Sequence, residues 1–224
     1  MTHLYFGLDL TGSSRPSGYA VLDAGAQLHD VGLVATDDEI AALVERSGAA
    51  TIAIDAPLGL PAGLCCLEAS CACAPSKPPG IRASELAVRG RGYGLYHTTK
   101  RSIIRTMVYR GIALRRAFEA RGLRVLEVYP YATKAALFGR RMPKKTTREG
   151  VRWLRERLAA RVGGLDASDG SLTHDELDAV VAAYTALLLD RDEAEPLGDP
   201  SEGAIIVPMA GRSRGWVSRS VRSK

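Results

Sequence analysis

The feature that most constrains the fold is a set of short apolar runs that end at acidic residues. The first run begins at residue 4 and reaches Asp9 just before its end. The run at residues 51–54 is followed directly by Asp55, and a later run has Glu127 as its next-to-last residue. Runs this short are typical of buried strands, because a helix needs about ten residues or more. The sequence therefore predicts a sheet whose strands carry carboxylates at their ends.

The order of the segments indicates an α/β fold with a mixed sheet. Three runs at the start of the chain are joined by turns rich in Gly, Ser and Pro, which predicts an antiparallel meander. Strand, helix and strand then alternate. A helix that connects two neighbouring strands of one sheet as a crossover requires that the two strands be parallel. The later predicted elements are helices after Asp37 and Asp38, over about 99–121, over about 146–161 and from the capping box at 173–176, and strands at 51–54, 123–128 and 204–207.

Length and composition are those of a globular chain. The 224 residues are 46% hydrophobic and 25% charged, which predicts one domain over residues 1–210. We expect a Cys/Pro/Gly-rich insertion over about 60–98 and a basic, flexible tail at 211–224. The longest nearly apolar run, 179–189, has 11 residues, whereas a membrane span needs about 20. The first residues do not resemble a signal peptide, so a cytoplasmic protein without a membrane partner is expected.

The acidic residues predict a metal site. If the three strands that end in acids are parallel neighbours, their carboxylates meet at the edge of the sheet where α/β proteins bind ligands. Asp175 and Asp178 lie one turn apart on the predicted last helix and point the same way, and His174 before them is a candidate proton shuttle. Clustered carboxylates need a cation, and an all-oxygen set selects Mg²⁺ or Mn²⁺. The predicted catalytic residues are Asp9, Asp55, Glu127 and Asp178, and the predicted metal ligands are these four with Asp175.

Basic residues are separated from acidic residues along the chain. Residues 82–121 hold ten Lys/Arg and two acids, and residues 140–161 hold nine and two. Residues 166–202 hold eleven acids and one Arg, within a net charge of +5. The basic segments favour binding of a nucleic acid, DNA or RNA, and the acidic segment favours binding of cations nearby. The candidate nucleic-acid contacts are Arg89, Arg91, Lys100, Arg101, Arg105, Lys134, Lys144 and Lys145.

A second candidate metal site lies in the insertion. All four cysteines fall within nine residues, as Cys65, Cys66, Cys71 and Cys73. Their spacing differs from the paired C-x2-C of zinc ribbons. In extended backbone Cys65 and Cys66 point to opposite sides, so a shared metal demands a contorted loop. The alternatives are a Zn site, an iron–sulfur cluster or free thiols.

Five motifs between residues 4 and 207 support a family resemblance. They are Gly7-Leu8-Asp9-Leu10, Gly18-Tyr19-Ala20-Val21, Ile54-Asp55-Ala56-Pro57-Leu58-Gly59-Leu60-Pro61, Glu127-Val128-Tyr129-Pro130 and His174-Asp175-Glu176-Leu177-Asp178-Ala179. These motifs resemble those of the proteins catalogued as domain of unknown function 429, which are grouped with RNase H-like nucleases and are similar to Holliday-junction resolvases. The resemblance implies an RNase H-like mixed five-stranded sheet flanked by helices and a metal-dependent nuclease. It also implies Asp9, Asp55 and Asp178 as metal ligands, supported by Glu127 or Asp175.

Two other functions fit parts of the sequence. The stretch Gly7-x-Asp9-x-x-Gly12-Ser13-Ser14 resembles the phosphate loop of sugar kinases and actin-like ATPases, which favours a nucleotide-dependent phosphotransferase. Such proteins usually contain two copies of the fold and are much longer. The third hypothesis is a non-catalytic nucleic-acid-binding protein that uses its basic helices alone. In that case the acids could be removed without loss of function.

Overall fold

A computed structural model of the chain describes residues 3–12, 15–166 and 171–209. The predicted tail at 211–224 lies outside these ranges, and the division into one domain and a tail stays a prediction. The strands are β1 Leu4–Asp9, β2 Ser17–Asp23, β3 Leu28–Val34, β4 Thr51–Ile54, β5 Arg124–Val128, β6 Ala194–Leu197 and β7 Ile205–Pro208. The helices are α1 Asp37–Ser47, α2 Ala83–Gly90, α3 Arg105–Glu119, α4 Pro130–Phe138, α5 Arg148–Ala159 and α6 His174–Asp190.

The strands form one mixed sheet in the order β3-β2-β1-β4-β5-β7-β6. The first three strands are an antiparallel meander, and β1, β4 and β5 are parallel neighbours. Strand β7 pairs parallel to β5, and β6 closes the edge antiparallel to β7. The predicted α/β class and the RNase H-like arrangement of the first five strands are confirmed, and two short strands extend the sheet beyond five.

Several element boundaries differ from the predicted ones. The long helix expected from about residue 99 begins at Arg105, so Lys100 and Arg101 precede it in a turn. Helix α2 lies inside the predicted insertion, and α4 directly follows β5. Strand β6 was not predicted, because its four residues include Glu195 and Pro196 and proline is unfavourable in most strand positions. The capping box at the start of α6, formed by Thr173 and Glu176, is confirmed.

The two faces of the sheet are covered by different helices. Side chains alternate along β1, so that Tyr5 packs toward α6, while Phe6 and Leu8 pack toward α1 and α3. Helix α6 is buried along nearly its whole length, which explains why its sequence is apolar on all sides. Within the described ranges, none of the helices has the length and hydrophobicity that a bilayer crossing requires.

Helix α6 touches the backbone of the sheet at two glycines. A Cβ added at Gly7 would lie 2.0 Å from the carbonyl oxygen of Ala179 and 2.5 Å from the amide nitrogen of Ala183. A Cβ added at Gly18 would lie 2.2 Å from the carbonyl oxygen of Asp175. Neither strand position can therefore accept a side chain while the helix stays in place. This close approach carries the first turn of α6 over the carboxyl end of β1.

We expect Gly7→Ala to destabilise the protein by about 3 kcal/mol or more, because overpacking a core costs about 1–3 kcal/mol and here the clash is with backbone. The matched control is Gly90→Ala at the end of α2, where an added Cβ meets nothing within 4 Å. That variant should change stability by less than about 1 kcal/mol. Urea unfolding followed by circular dichroism measures both. Equal stability of the two variants would show that α6 does not pack on β1 as described.

Candidate metal centre

The two strand-end aspartates lie side by side. Strand β1 ends at Asp9, and Asp55 follows β4, its parallel neighbour. The amide of Asp55 donates to the carbonyl of Leu8 at 2.8 Å, which continues the pairing of the two strands by one residue. The side chain of Asp9 is buried and that of Asp55 is partly buried, and the two carboxyl groups are close enough for the charge of Asp55 to raise the pKa of Asp9. The prediction that these acids end adjacent parallel strands is confirmed.

Helix α6 adds residues from its first turn. Asp9, His174 and Asp175 each offer a ligand atom, and the three atoms lie within 4.8 Å of one another. The Nδ1 atom of His174 lies 2.8 Å from Oδ1 of Asp175, yet among the described residues it has no hydrogen bond of normal geometry. Asp178 follows one turn later and is 2% exposed. A buried imidazole nitrogen that lies beside a carboxylate without a hydrogen bond of normal geometry is available to a metal ion.

Two lysines compensate Asp178 rather than the strand-end pair. Lys134 of α4 donates to Oδ1 of Asp178 at 2.5 Å, and Lys145 donates to Oδ2 at 3.1 Å. Lys134 is buried beneath the site, whereas the Lys145 side chain is half exposed. Burial alone would raise the pKa of Asp178, but the two ammonium groups hold it below its usual range.

Ionisation of Asp9 and Asp55 is less favourable than ionisation of Asp178. Burial, then the negative charges of Asp55 and Asp178, raise the pKa of Asp9 well above its usual range. Burial and the charge of Asp178 raise the pKa of Asp55 to about 7. Lys145 offsets only part of this repulsion. A divalent cation between the carboxylates would remove the cost, since it stabilises their ionised forms.

Glu127 reaches the same edge of the sheet but is already bound. Its Oε1 accepts from Nη2 of Arg82 at 2.6 Å, and its Oε2 accepts from Nη1 of Arg82 at 2.7 Å and from the amide of Leu58 at 2.7 Å. Arg82 also donates to Glu85 at 3.0 Å, and all three charged side chains are buried. Glu127 therefore fixes the segment after Asp55 and the start of α2.

Arg82 and Glu85 were not identified from the sequence. Arg82 lies in the insertion, 45 residues before Glu127, and nothing in its local pattern distinguishes it from the other arginines of a basic stretch. Burial would lower the pKa of Arg82, but Glu127 and Glu85 raise it further above its usual range. Breaking such a buried network typically costs about 3–5 kcal/mol.

The carboxylates lie at the floor of a cleft of about 1010 Å³. Aromatic and apolar side chains stand on its rim, including Tyr96, 66% exposed, and Ile103, 81% exposed. Its lining includes Asp9, Asp55, Glu127, Asp175, Asp178, His174, Tyr129, Tyr131, Arg15, Lys134, Arg140, Lys144 and Lys145. The cleft thus joins carboxylates at its floor to cationic and aromatic groups around its mouth.

The predicted cationic contacts divide into two groups. Lys134, Lys144 and Lys145 line the cleft, and Lys134 is occupied by Asp178. Five arginines and lysines do not line it: Arg89, Arg91, Lys100, Arg101 and Arg105. Three of these five have other partners in the structure. Arg91 pairs with Glu195, Lys100 donates to the carbonyl of Cys71, and Arg105 pairs with Glu68.

Comparison with known proteins gives a family. The family model described as "Protein of unknown function (DUF429)" matches residues 7–203. No curated protein matches the chain. Among solved structures, Thermus thermophilus RuvC in complex with a Holliday junction substrate is 16% identical, with a TM-score of 0.49 over 87% of this chain and 99% of that chain. A second Thermus thermophilus RuvC structure gives a TM-score of 0.45 at 16% identity over the same shares.

We expect Asp55→Asn to stabilise the protein at pH 8 in the presence of a chelator. The unfolded chain releases the Asp55 proton near pH 4, whereas the folded chain holds it to about pH 7. The contribution of Asp55 to stability therefore falls as the pH rises from about 4 to about 7 and then stays constant. Removing the charge should gain up to about 4 kcal/mol at pH 8 and little at pH 4.

Chemical unfolding at the two pH values measures this difference. The control is Asp192→Asn, an exposed position at the far end of α6, where the backbone φ of 57° suits asparagine. The control should show no such dependence on pH. Loss of stability in Asp55→Asn at pH 8 would contradict the proposed charge repulsion.

Proposed function

The chain belongs to the DUF429 family, and we propose that it is a metal-dependent nuclease that hydrolyses phosphodiester bonds in nucleic acid. The observation that carries this proposal is the pair Asp9 and Asp55, two carboxylates at the ends of adjacent parallel strands with raised pKa values. They lie at the floor of a cleft with a cationic and aromatic rim. A site with these parts can bind a cation at its floor and a polyanion at its mouth.

The side chains at the floor fit Mg²⁺ or Mn²⁺. Carboxylate oxygens are the donors that these hard ions prefer, and Mn²⁺ also accepts an imidazole nitrogen. We assign Asp9, Asp55, Asp175 and His174 as the set that would hold the ion. Both oxygens of Asp178 accept hydrogen bonds from lysines, but each keeps a further lone pair. Asp178 would complete the set if the half-exposed Lys145 moved away from its Oδ2.

The proposed role of Glu127 differs from that of the other acids. Both of its oxygens are occupied by Arg82, so we assign it to positioning rather than to metal binding. It holds the amide of Leu58 and thereby the turn that follows Asp55. Lys134 has a comparable role, because it fixes one oxygen of Asp178 from below.

The remaining chemistry follows from the groups around the carboxylates. When bound, the divalent ion supplies Lewis-acid stabilisation of the charge that builds up on the phosphate during hydrolysis. The imidazole of His174 is within reach of the same space and can accept a proton from an attacking water through whichever nitrogen is not bound. Lys145, once displaced from Asp178, places a positive charge near the scissile phosphate.

The rim of the cleft supports a nucleic-acid substrate. Arg15, Arg140, Lys144 and Lys145 can neutralise phosphates, and the exposed ring of Tyr96 can stack on a base. Arg140 donates to two backbone carbonyls and stands over the ring of Tyr93 at 5.2 Å, so it also holds the rim in place. These contacts do not depend on base identity, and we propose that binding is governed by backbone charge.

The phosphotransferase alternative has less support. Gly12 lines the cleft, but Ser13 and Ser14, which would contact a nucleotide phosphate, lie outside the described residues. Two incubations distinguish the two functions, one with nucleic acid and no ATP and one with both. A nuclease cleaves nucleic acid without ATP, whereas a phosphotransferase consumes ATP and leaves nucleic acid intact.

Asp9→Asn should abolish cleavage while the fold is retained. The change removes one negative charge from the floor of the cleft, and a ligand lost from a metal site lowers turnover by orders of magnitude. The assay is incubation with Mn²⁺ or Mg²⁺ and labelled single-stranded, duplex and branched DNA and RNA. Addition of EDTA should stop cleavage by the wild type.

The control for this assay is Asp192→Asn, which changes the charge equally at the opposite end of α6. It should cleave at the wild-type rate. If Asp9→Asn cleaves as fast as this control, the activity comes from another site or from a contaminant.

Arg15→Gln with Lys144→Gln should weaken binding to duplex DNA and flatten its salt dependence. Each neutralised phosphate contributes about −0.9 to the slope of log affinity against log salt. The double variant should therefore reduce the slope by about two units and act alike on every sequence. Titration with labelled duplex in Ca²⁺ at several salt concentrations measures the slope.

Arg89→Gln is the matched control, since Arg89 is exposed but does not line the cleft. Its slope should equal that of the wild type. If Arg89→Gln changes the slope and the double variant does not, nucleic acid binds along α2 instead of in the cleft.

A further inference from the structure

The four cysteine sulfurs converge at one point. One sulfur from each of Cys65, Cys66, Cys71 and Cys73 lies within 4.8 Å of the others, and the sulfurs of Cys65 and Cys71 are 3.6 Å apart. A tetrahedral zinc site with bonds of about 2.3 Å sets its sulfurs about 3.8 Å from one another. A disulfide would require a sulfur separation of about 2.05 Å. The spacing therefore suits four thiolates around a single ion.

The loop conformation brings the adjacent cysteines together. A turn closes when the amide of Cys71 donates to the carbonyl of Glu68 at 3.1 Å, and the amide of Ser76 donates to the carbonyl of Ala62 at 2.7 Å. Gly63 adopts a positive φ of 88°, and the carbonyl oxygen of Ala74 lies only 2.5 Å from the position of a Cβ there. Cys65 and Cys66 do not point apart, because this loop is folded back on itself, which is the contorted loop that a shared metal demands.

Hydrophobic burial does little to stabilise this loop. No helix or strand occurs between β4 and α2, a stretch of 28 residues from 55 to 82. In the part that carries the cysteines, residues 62–76, Leu67 is the one buried hydrophobic side chain. Long segments without secondary structure are uncommon in compact folds, and units with little core usually depend on a metal or disulfides.

The distances between the sulfurs also distinguish a single zinc ion from an iron–sulfur cluster. An iron–sulfur cluster holds its cysteine sulfurs around two or more irons and their bridging sulfides, so the four sulfurs stand farther apart than around one ion. Four thiolates on one Zn²⁺ carry a net charge of −2. The ammonium of Lys100, which donates to the carbonyl of Cys71 at 2.5 Å, lies where it offsets part of that charge.

We propose that Cys65, Cys66, Cys71 and Cys73 bind one structural Zn²⁺ ion, independently of the carboxylate site. The thiols release their protons as the four zinc–sulfur bonds form, with no change of oxidation state. The bound ion fixes the loop against α3, where the hydroxyl of Tyr109 accepts from the amide of Leu67 at 2.7 Å and donates to Glu68 at 3.0 Å. The adjoining first turn of α3 lines the cleft, so the zinc supports one wall of it.

The test is the metal content of the full chain after dialysis against EDTA, measured by plasma mass spectrometry. We expect about one zinc per chain in the wild type and in Asp9→Asn, and less than a tenth of that in Cys66→Ser and in Cys71→Ser. Because Asp9→Asn keeps its zinc, this outcome is independent of whether the protein is a nuclease. Zinc that is lost in Asp9→Asn but kept in the cysteine variants would overturn the proposal.

A second measurement uses the wild type alone, in case the cysteine variants fail to fold. Exchange of the bound metal for Co²⁺ should give the intense visible absorption of a tetrahedral thiolate site, and the four thiols should react with a thiol reagent only after the metal is removed. Four thiols that react at once in the protein as purified, before any metal is removed, would overturn the proposal. Iron with inorganic sulfide, or two disulfides, would overturn it as well.

Discussion

The site depends on one contact, the approach of α6 to the backbone of β1 and β2. Gly7 and Gly18 leave no room for a Cβ beneath Ala179 and Asp175, and this is why the helix can lie directly on the sheet. The first turn of α6 then overhangs the end of β1. Without this contact Asp175 and Asp178 would be several ångströms farther from Asp9. The glycines are therefore part of the site, although neither offers a chemical group to it.

The charges around this contact are balanced unevenly. Asp178 is paired with two lysines, and Glu127 is paired with Arg82, so both are compensated within the protein. Among the residues that the structure describes, Asp9 and Asp55 have no comparable partner, and their negative charges repel each other. Strain of this kind is typical of functional sites, where groups are held in place for a ligand. Asp178 and Glu127 hold the surrounding elements in place through their ion pairs. A divalent ion would relieve the most charge repulsion at Asp9 and Asp55.

The sequence predicted the parts that follow from local pattern. The strands that end at Asp9 and Asp55, the capping box of α6 and the i, i+3 pair on that helix all follow from periodicity and spacing. The network around Arg82 and the role of Glu127 could not be predicted, because they join residues far apart in the chain through burial. The sequence placed the four cysteines together as a possible metal site but left their convergence open, because local spacing could not show that the loop folds back on itself. The helix expected from residue 99 begins at Arg105, and Ile103 and Ile104, just before it, line the cleft.

The central claim is that the strand-end carboxylates bind a divalent cation together with the first turn of α6. The most direct test is a crystal soaked in Mn²⁺, with an anomalous difference map recorded near the manganese absorption edge. The account predicts a peak within bonding distance of oxygens from Asp9, Asp55 and Asp175, with the ammonium of Lys145 moved away from Asp178. An empty map at this position at saturating Mn²⁺, with Lys145 still bound to Asp178, would contradict it.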